Sequence, residues 1–252
     1  MKPVSYLQTD PRWKSHDYSA KGEKKTIGSS GCGPTAAAMV IATLKDKHVT
    51  PVTTADWSVA HGYKALNQGT FYSYFIPQFS AYGILCKRLN TSNLYGKKTS
   101  SAHTEALDAL KNGNWVIACM GKGNWTKSGH FILLYAFENG YVWINDPAST
   151  AAVRTKNTWD LFSGQVKYLW IVTVPEQFKT GNTTASSAVI GKVSNCFQLN
   201  MRKTPKVENG NIISVLNVNE ELTLLDTANS WYKAETKQHI IGYVSSKYIT
   251  IQ

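Results

Sequence analysis

In Ser29-Ser30-Gly31-Cys32-Gly33-Pro34-Thr35-Ala36-Ala37-Ala38-Met39-Val40-Ile41-Ala42-Thr43-Leu44, a cysteine in a glycine-flanked turn is followed at once by an almost unbroken apolar run. Pro34 suits an early helical position, so the run reads as a buried helix with Cys32 at its N-terminus. A thiol placed there faces the positive end of the helix dipole, which lowers its pKa toward the nucleophilic thiolate. A lone cysteine in such a turn also reads simply as a small buried residue, so Cys32 needs partners before it implies chemistry.

Two further segments supply them. Gly129-His130 opens the apolar run Phe131-Ile132-Leu133-Leu134, and Asn145-Asp146-Pro147 closes the next strand-like run. A histidine at a strand mouth and a carboxylate at the end of the adjacent strand can hydrogen-bond. The carboxylate then fixes the imidazole tautomer and leaves the other ring nitrogen to take the thiol proton, the logic of a nucleophile, base and orienter. His16, His48, His61, His103 and His239 have no comparable partner. An acyl-transfer site also needs donors for a developing oxyanion. The backbone N–H of Cys32 is one candidate and Gln8, in Tyr6-Leu7-Gln8-Thr9-Asp10-Pro11-Arg12-Trp13, is a side-chain candidate.

Around the Cys32 helix, the pattern predicts helices near Thr54–Gly62, Thr70–Tyr82 and Ser101–Asn112, the last ended by Gly113. Beyond it, Trp115–Met120, Phe131–Phe137, Tyr141–Asn145 and Tyr168–Val174 are short aromatic and β-branched runs, with Glu138-Asn139-Gly140 as a hairpin turn. Helices first and an antiparallel sheet second make an α+β domain. Residues 176–188 lose this periodicity and concentrate small polar residues, as a connector does. Residues 1–175 are then one domain and 189–252 a second. The runs Asn200-Met201-Arg202, Ile212–Leu216, Glu221–Leu225, Trp231–Ala234 and Ile241–Val244 predict a small all-β barrel.

Length and composition agree with this division. The 252 residues, 42% hydrophobic and 17% charged, make a globular chain with a real core and exclude collagen, coiled coil and acidic disordered tails. The net charge is +11. Residues 1–175 hold 19 basic and 10 acidic side chains (+9), and the rest hold 8 and 6 (+2). No basic run exceeds a pair such as Lys24-Lys25 or Lys97-Lys98, so an evenly basic surface is expected rather than a nucleic-acid stripe. Cys32, Cys86, Cys119 and Cys196 form no Cys-x-x-Cys pair, which argues against a zinc ribbon or a thioredoxin-type site. Free thiols are expected, with Cys86 and Cys119 buried and inert. No carboxylate or Cys/His set has metal-loop spacing, so no metal and no cofactor are expected, with Asp10, Asp17 and Glu23 the nearest approach to a calcium set. No run of 18 apolar residues spans a membrane, and Met1–Tyr6 lacks the apolar core of a signal peptide, so synthesis in the cytoplasm is expected.

Gln8-Thr9-Asp10-Pro11-Arg12-Trp13, Ile27-Gly28-Ser29-Ser30-Gly31-Cys32-Gly33-Pro34-Thr35, Gly129-His130-Phe131 and Asn145-Asp146-Pro147 together resemble the C39-like branch of the papain-like cysteine peptidases. The resemblance implies a papain-like α+β fold with Cys32 as nucleophile, His130 as base, Asp146 as orienter and Gln8 as oxyanion donor. Gln8 lies 24 residues before Cys32, further than in the bacteriocin-processing members. Residues 189–252 resemble a bacterial SH3 (SH3b) module through Leu199-Asn200-Met201-Arg202-Lys203-Thr204-Pro205, Ser230-Trp231-Tyr232-Lys233-Ala234 and Gly242-Tyr243-Val244-Ser245-Ser246-Lys247-Tyr248-Ile249. It implies peptidoglycan binding, with Trp231 as core and Tyr232, Tyr243 and Tyr248 as candidate groove residues. The combination is similar to phage endolysins of Gram-positive hosts, released by a holin, with anionic wall polymers as further partners. The implied activity is a peptidoglycan endopeptidase. An N-acetylmuramoyl-L-alanine amidase with the same triad, an inactive wall-binding protein and a leader peptidase are the alternatives.

Overall fold

Thr26, in extended conformation, caps a one-turn helix, α1 (Ile27–Ser30), through a reciprocal pair of bonds with Ser29. Gly31 breaks the chain, and α2 (Cys32–Leu44) begins with the cysteine as its first residue. A side chain on Gly31 would meet the Ile27 carbonyl, and one on Gly33 would meet the Thr70 hydroxyl at 2.5 Å. The two glycines let α2 start against α1 and lie close to the loop that carries Thr70. From Gly33 to Ala42 every residue of α2 is buried, as expected of a helix apolar on all sides.

This is a computed structural model, and it describes residues 1–179, 189–228, 230–238 and 240–251. The chain divides into two compact units, Met1–Asn182 and Thr183–Gln252. In the first, α3 (Pro51–Ala60), α4 (Phe75–Ser80) and α5 (Ser101–Lys111) follow α2, and two short helices, α6 (Ala152–Thr155) and α7 (Trp159–Gln165), lie later in the chain. The strands are β1 (Cys86–Arg88), β2 (Trp115–Met120), β3 (His130–Glu138), β4 (Tyr141–Asn145), β5 (Lys156–Thr158) and β6 (Val166–Val172). They form one antiparallel sheet in the order β1-β6-β2-β3-β4-β5.

Side chains alternate across a strand, so the two faces of this sheet make two cores. Ile117, Cys119, Phe131 and Leu133 pack with α2, while Val116, Ala118, Ile132 and Leu134 pack with residues of α5 and α7. Both faces are covered, so β2 reads as a continuous apolar run and is buried throughout.

The helix expected at Thr70–Tyr82 is shorter, Phe75–Ser80. Residues 63–71 fold back on themselves, with Ala65 donating to the Gly69 carbonyl and Phe71 to the Tyr63 carbonyl, and this takes the first residues out of the helix. The helix expected from Thr54 begins at Pro51, where Thr50 caps it and proline needs no partner for a missing N–H. Glu176–Phe178, placed in the connector by composition, make a single 3-10 turn, and Phe178 packs on the first unit's core. Residues 180–188 of that connector, and His239, lie outside the described residues.

The second unit is a seven-stranded antiparallel sheet of β7 (Val189–Val193), β8 (Gln198–Arg202), β9 (Ile212–Asn217), β10 (Glu221–Ala228), β11 (Trp231–Glu235), β12 (Ile241–Ser245) and β13 (Ile249–Ile251), in the order β13-β7-β10-β11-β12-β8-β9. Val193, Leu199, Met201, Leu216, Leu222, Ala234 and Val244 form its core.

Candidate active site

Cys32 is carried by the first turn of α2, His130 by the first residue of β3 and Asp146 by the turn that ends β4. Antiparallel pairing of β3 with β4 brings the last two together. His130 Nε2 lies 2.6 Å from Asp146 Oδ1, and both side chains are almost fully buried. With Nε2 committed to Asp146, Nδ1 is left for the hydrogen bond that His130 makes with the Cys32 thiol. The three residues read from the sequence therefore form one chain of contacts.

The electrostatics favour an ion pair. Burial pushes the Cys32 thiol up, but the hydrogen bond and charge of His130, together with the N–H groups of Phe131 and Gly33, outweigh it and the net shift is down. Burial pushes His130 down, yet its bonds to Asp146 and Cys32 raise it to about 9. Each group favours the charged form of the other. By contrast, burial pushes Cys86 up to about 12 and Cys119 up to about 11. All four cysteines are free thiols; Cys119 is buried as expected, whereas Cys86 is only half-buried, because β1 lies at the sheet edge.

Arg154, which the sequence reading did not single out, completes the site. From α6 its Nε donates to Asp146 Oδ2 at 2.6 Å, and its Nη2 donates to the Trp125 carbonyl at 2.7 Å. Ala148 N–H donates to Asp146 Oδ1 at 2.8 Å. Asp146 is thereby held from three directions, and its orientation toward His130 is fixed. An arginine eight residues beyond a carboxylate, across a turn, has no periodic signature, so only the fold reveals it.

Gln8 is brought close by the N-terminal segment despite its distance in sequence. Asn145 donates to the carbonyls of Pro3 and Val4, and Gln8 N–H donates to the Pro147 carbonyl at 2.7 Å. The buried Gln8 amide donates to the Gly28 carbonyl at 2.9 Å, and its Oε1 has no hydrogen-bond partner among the described residues. Gln8 does not line the cleft at the thiol. Its amide is fixed beside α1 with one N–H not engaged by that bond.

Cys32 and His130 open onto a cleft of about 420 Å³. Its opposite wall is the loop from Ala65 to Tyr72. A buried ion pair holds that loop. Lys64 Nζ contacts Glu23 Oε1 and donates to the carbonyls of Ala65 and Gln68 at 2.7 Å, while Glu23 accepts from the N–H groups of Ala20 and Asn67. Glu23 is thus occupied; Asp10 is bound by Arg12 and Asp17 accepts from Ser19. Among the described residues no group of three metal-binding side chains comes together.

In the second unit, strand parity corrects one expectation. Ala234 and Tyr232 face the core, so Trp231 and Lys233 face outward, and Trp231 is half-buried outside the core cluster. Tyr243 pairs with Lys233 and shares that outer face, whereas Tyr232, paired with Val244, and Tyr248 pack at the core margin. The structure does not gather the three tyrosines on one face.

A thiol activated by a buried imidazole and carboxylate at an open cleft is the arrangement of a cysteine peptidase. Residues 8–173 match the Peptidase_C39 like family, and the chain belongs to that family. Residues 198–250 match the bacterial SH3 domain family. No curated protein sequence matches the chain. Among solved structures, it is similar to a C39-like peptidase from Bacillus anthracis (12% identity, 69% of this chain and 98% of that one, TM-score 0.41). It is also similar to the peptidase domain of Streptococcus ComA, a bi-functional ABC transporter involved in quorum sensing (18% identity, 57% and 92%, TM-score 0.39). The assignment rests on the family match. The chain is a peptidase-type enzyme with a mixed α/β catalytic domain followed by an all-β bacterial SH3 domain. No described helix is long and apolar enough to cross a membrane.

Proposed function

We propose that this chain is a peptidoglycan hydrolase that cuts an amide bond of the stem peptide or cross-bridge, working as a phage endolysin on a Gram-positive host. One observation carries the reading: a Cys32–His130–Asp146 constellation at an open cleft shares its chain with a bacterial SH3 domain. Tethering an enzyme to the polymer it cuts raises the local substrate concentration. The +9 of residues 1–175 adds attraction to anionic wall polymers, which salt weakens. Release from the cytoplasm falls to a holin.

Catalysis follows from the geometry. The Cys32 thiolate attacks the scissile carbonyl carbon, forming a C–S bond and moving the π electrons to oxygen. The Cys32 N–H at the first turn of α2, which has no acceptor among the described residues, receives that oxyanion, whereas Gln8, held on the Gly28 carbonyl outside the cleft lining, would have to turn its second N–H toward the thiol to share that role. His130 passes its Nδ1 proton to the nitrogen as the C–N bond breaks, leaving a thioester and a free amine. His130 then takes a proton from water, the hydroxide adds to the thioester, and Cys32 leaves as thiolate. Asp146, fixed by Arg154, stabilises the imidazolium in both halves.

The test is digestion of purified Gram-positive walls by the wild type and by Cys32→Ala, followed by mass spectrometry of the fragments. The wild type is expected to release new amino groups on stem or cross-bridge residues, and Cys32→Ala none. A free L-alanine amine on the stem would instead assign the amidase reaction, and equal lysis by both proteins would overturn the role of Cys32. The full-length Cys32→Ala protein is expected to remain bound to the walls, and Trp231→Ala with Tyr243→Ala to weaken that binding.

A further inference from the structure

Lys167 lies on β6 with its side chain half-buried in the wall of the cleft, and its Nζ stands 4.0 Å from where a Cβ on Gly129 would be, next to His130. Among the described residues no Asp or Glu lines the cleft and Lys167 makes no ion pair. The Cys32 thiolate and the His130 imidazolium cancel in charge, so the ammonium of Lys167 is the uncompensated charge of the cavity. A second cation, the Arg88 guanidinium, lies over the ring of Tyr72, which lines the same cleft, 5.8 Å from its centroid, and 5.1 Å from that of Tyr168. A half-buried ammonium without a counter-ion is costly to leave unpaired, and a bound anion recovers that cost. The field reaches the neighbouring thiol of Cys119, where the charge of Lys167 opposes the effect of burial.

We propose that Lys167 is a specificity-determining residue that binds a carboxylate of the substrate peptide beside the scissile bond, so that peptides carrying a free acid are cut in preference to their carboxamides. The proposal rests on the peptidase reading of the cleft and deepens it. Peptidoglycan stems carry such acids, at the glutamyl α-carboxyl and at the terminal alanine, and amidation of the former removes the charge.

The experiment uses the full chain and two probes of different dependence. The first is alkylation of Cys32 by iodoacetate and by iodoacetamide, a nearly isosteric acid and amide, followed by mass spectrometry; in both, the thiolate displaces iodide. The ratio of the two rates cancels changes in the thiolate fraction. Lys167→Gln is expected to lower the iodoacetate-to-iodoacetamide ratio about tenfold, Lys167→Glu further, and Lys167→Arg to preserve it. A ratio unchanged in Lys167→Gln overturns the proposal.

The second probe is a pair of purified muropeptides differing only in a free or amidated glutamyl α-carboxyl. The wild type is expected to prefer the acid through KM, and Lys167→Gln to raise KM for the acid about tenfold while leaving the amide unaffected. Equal cleavage of acid and amide by the wild type overturns the carboxylate preference. Failure to cut either, with the alkylation ratio still governed by Lys167, leaves the anion site standing and sinks the peptidoglycan reading instead.

Discussion

The two walls of the cleft are each built on a buried carboxylate paired with a basic side chain, and they use it differently. On the sheet wall, Asp146 is shared between Arg154 and His130, and in the proposed reaction His130 gains and loses a proton. On the loop wall, Glu23 is paired with Lys64, whose remaining donors go to the carbonyls of Ala65 and Gln68. In the proposed reaction the first carboxylate tunes a base; the second fixes a backbone. Burial of an ion pair therefore does not itself mark chemistry. What distinguishes the pair we propose to be catalytic is that a further titratable group, His130, connects it to the Cys32 thiol at the cavity surface.

The contrast is broken most severely by removing the nucleophile or the base. Cys32→Ala and His130→Ala are each expected to lower the rate of wall hydrolysis by about 10⁴-fold or more, measured as amino groups released. If His130→Ala kept most of its turnover, the sheet wall would be as purely structural as the loop wall.

Asp146→Asn and Arg154→Gln sharpen the distinction. Loss of roughly 10²–10⁴-fold is expected for the first and about tenfold for the second, because Arg154 acts through Asp146. The pH profile separates a tuning role from mere damage. His130 is raised to about 9, so the imidazolium is present below that value and lost above it, and kcat/KM of the wild type should fall on an alkaline limb near 9. On the acid side activity falls as the thiolate is protonated, below the ordinary range of a free thiol because the Cys32 value is lowered. Asp146→Asn removes a bond that raises His130, so its alkaline limb should move to lower pH; a fixed limb would deny Asp146 its electrostatic part. The folding contribution of the His130 interactions has the same sign: present below the ordinary histidine value and lost as pH rises through about 9.

On the loop wall, Lys64→Met strands a buried carboxylate and is expected to lower the thermal midpoint by on the order of 5–10 °C, with KM rising more than kcat falls. The backbone N–H of Ala20 and the Lys64 ammonium lower Glu23 to about 2. Its contribution is present above the ordinary glutamate value and lost only as pH falls through about 2, so thermal unfolding at pH 4 should still show it. The smallest effect expected is that of a chelator, under about twofold on wall hydrolysis, because Glu23, Asp10 and Asp17 are engaged by protein donors. Loss of activity restored by calcium would mean that the loop wall is a metal site after all.

The meeting of Cys32, His130 and Asp146 was legible because each sits at an element boundary with its own local signature: a glycine turn before a helix, and two strand ends. The long apolar runs were legible for the same reason. What escaped was either short or non-local. Strands β1 and β5, three residues each, are too brief for alternation to show. Residues 70–74 carry aromatic side chains at helical spacing, but Thr70 and Phe71 are held by backbone pairing with Lys64 and Tyr63, so tertiary pairing overrode the local pattern. Lys64 and Glu23 are 41 residues apart, and nothing in either neighbourhood announces the other. Trp231 was misplaced by type: large aromatics favour a core, but the buried Ala234 sets the parity of β11 and turns Trp231 outward.

The Lys64 ammonium also has a consequence for supply. A loop braced by a dissolved ion is in order only while the surroundings provide that ion, and its occupancy follows the free concentration. Here the positive charge inside the loop is synthesised with the chain and cannot diffuse away, so its effective concentration is set by covalent attachment. The cleft wall should keep its shape in media rich in phosphate, citrate or acidic polymers that sequester cations, and no competing ion can exchange with its brace.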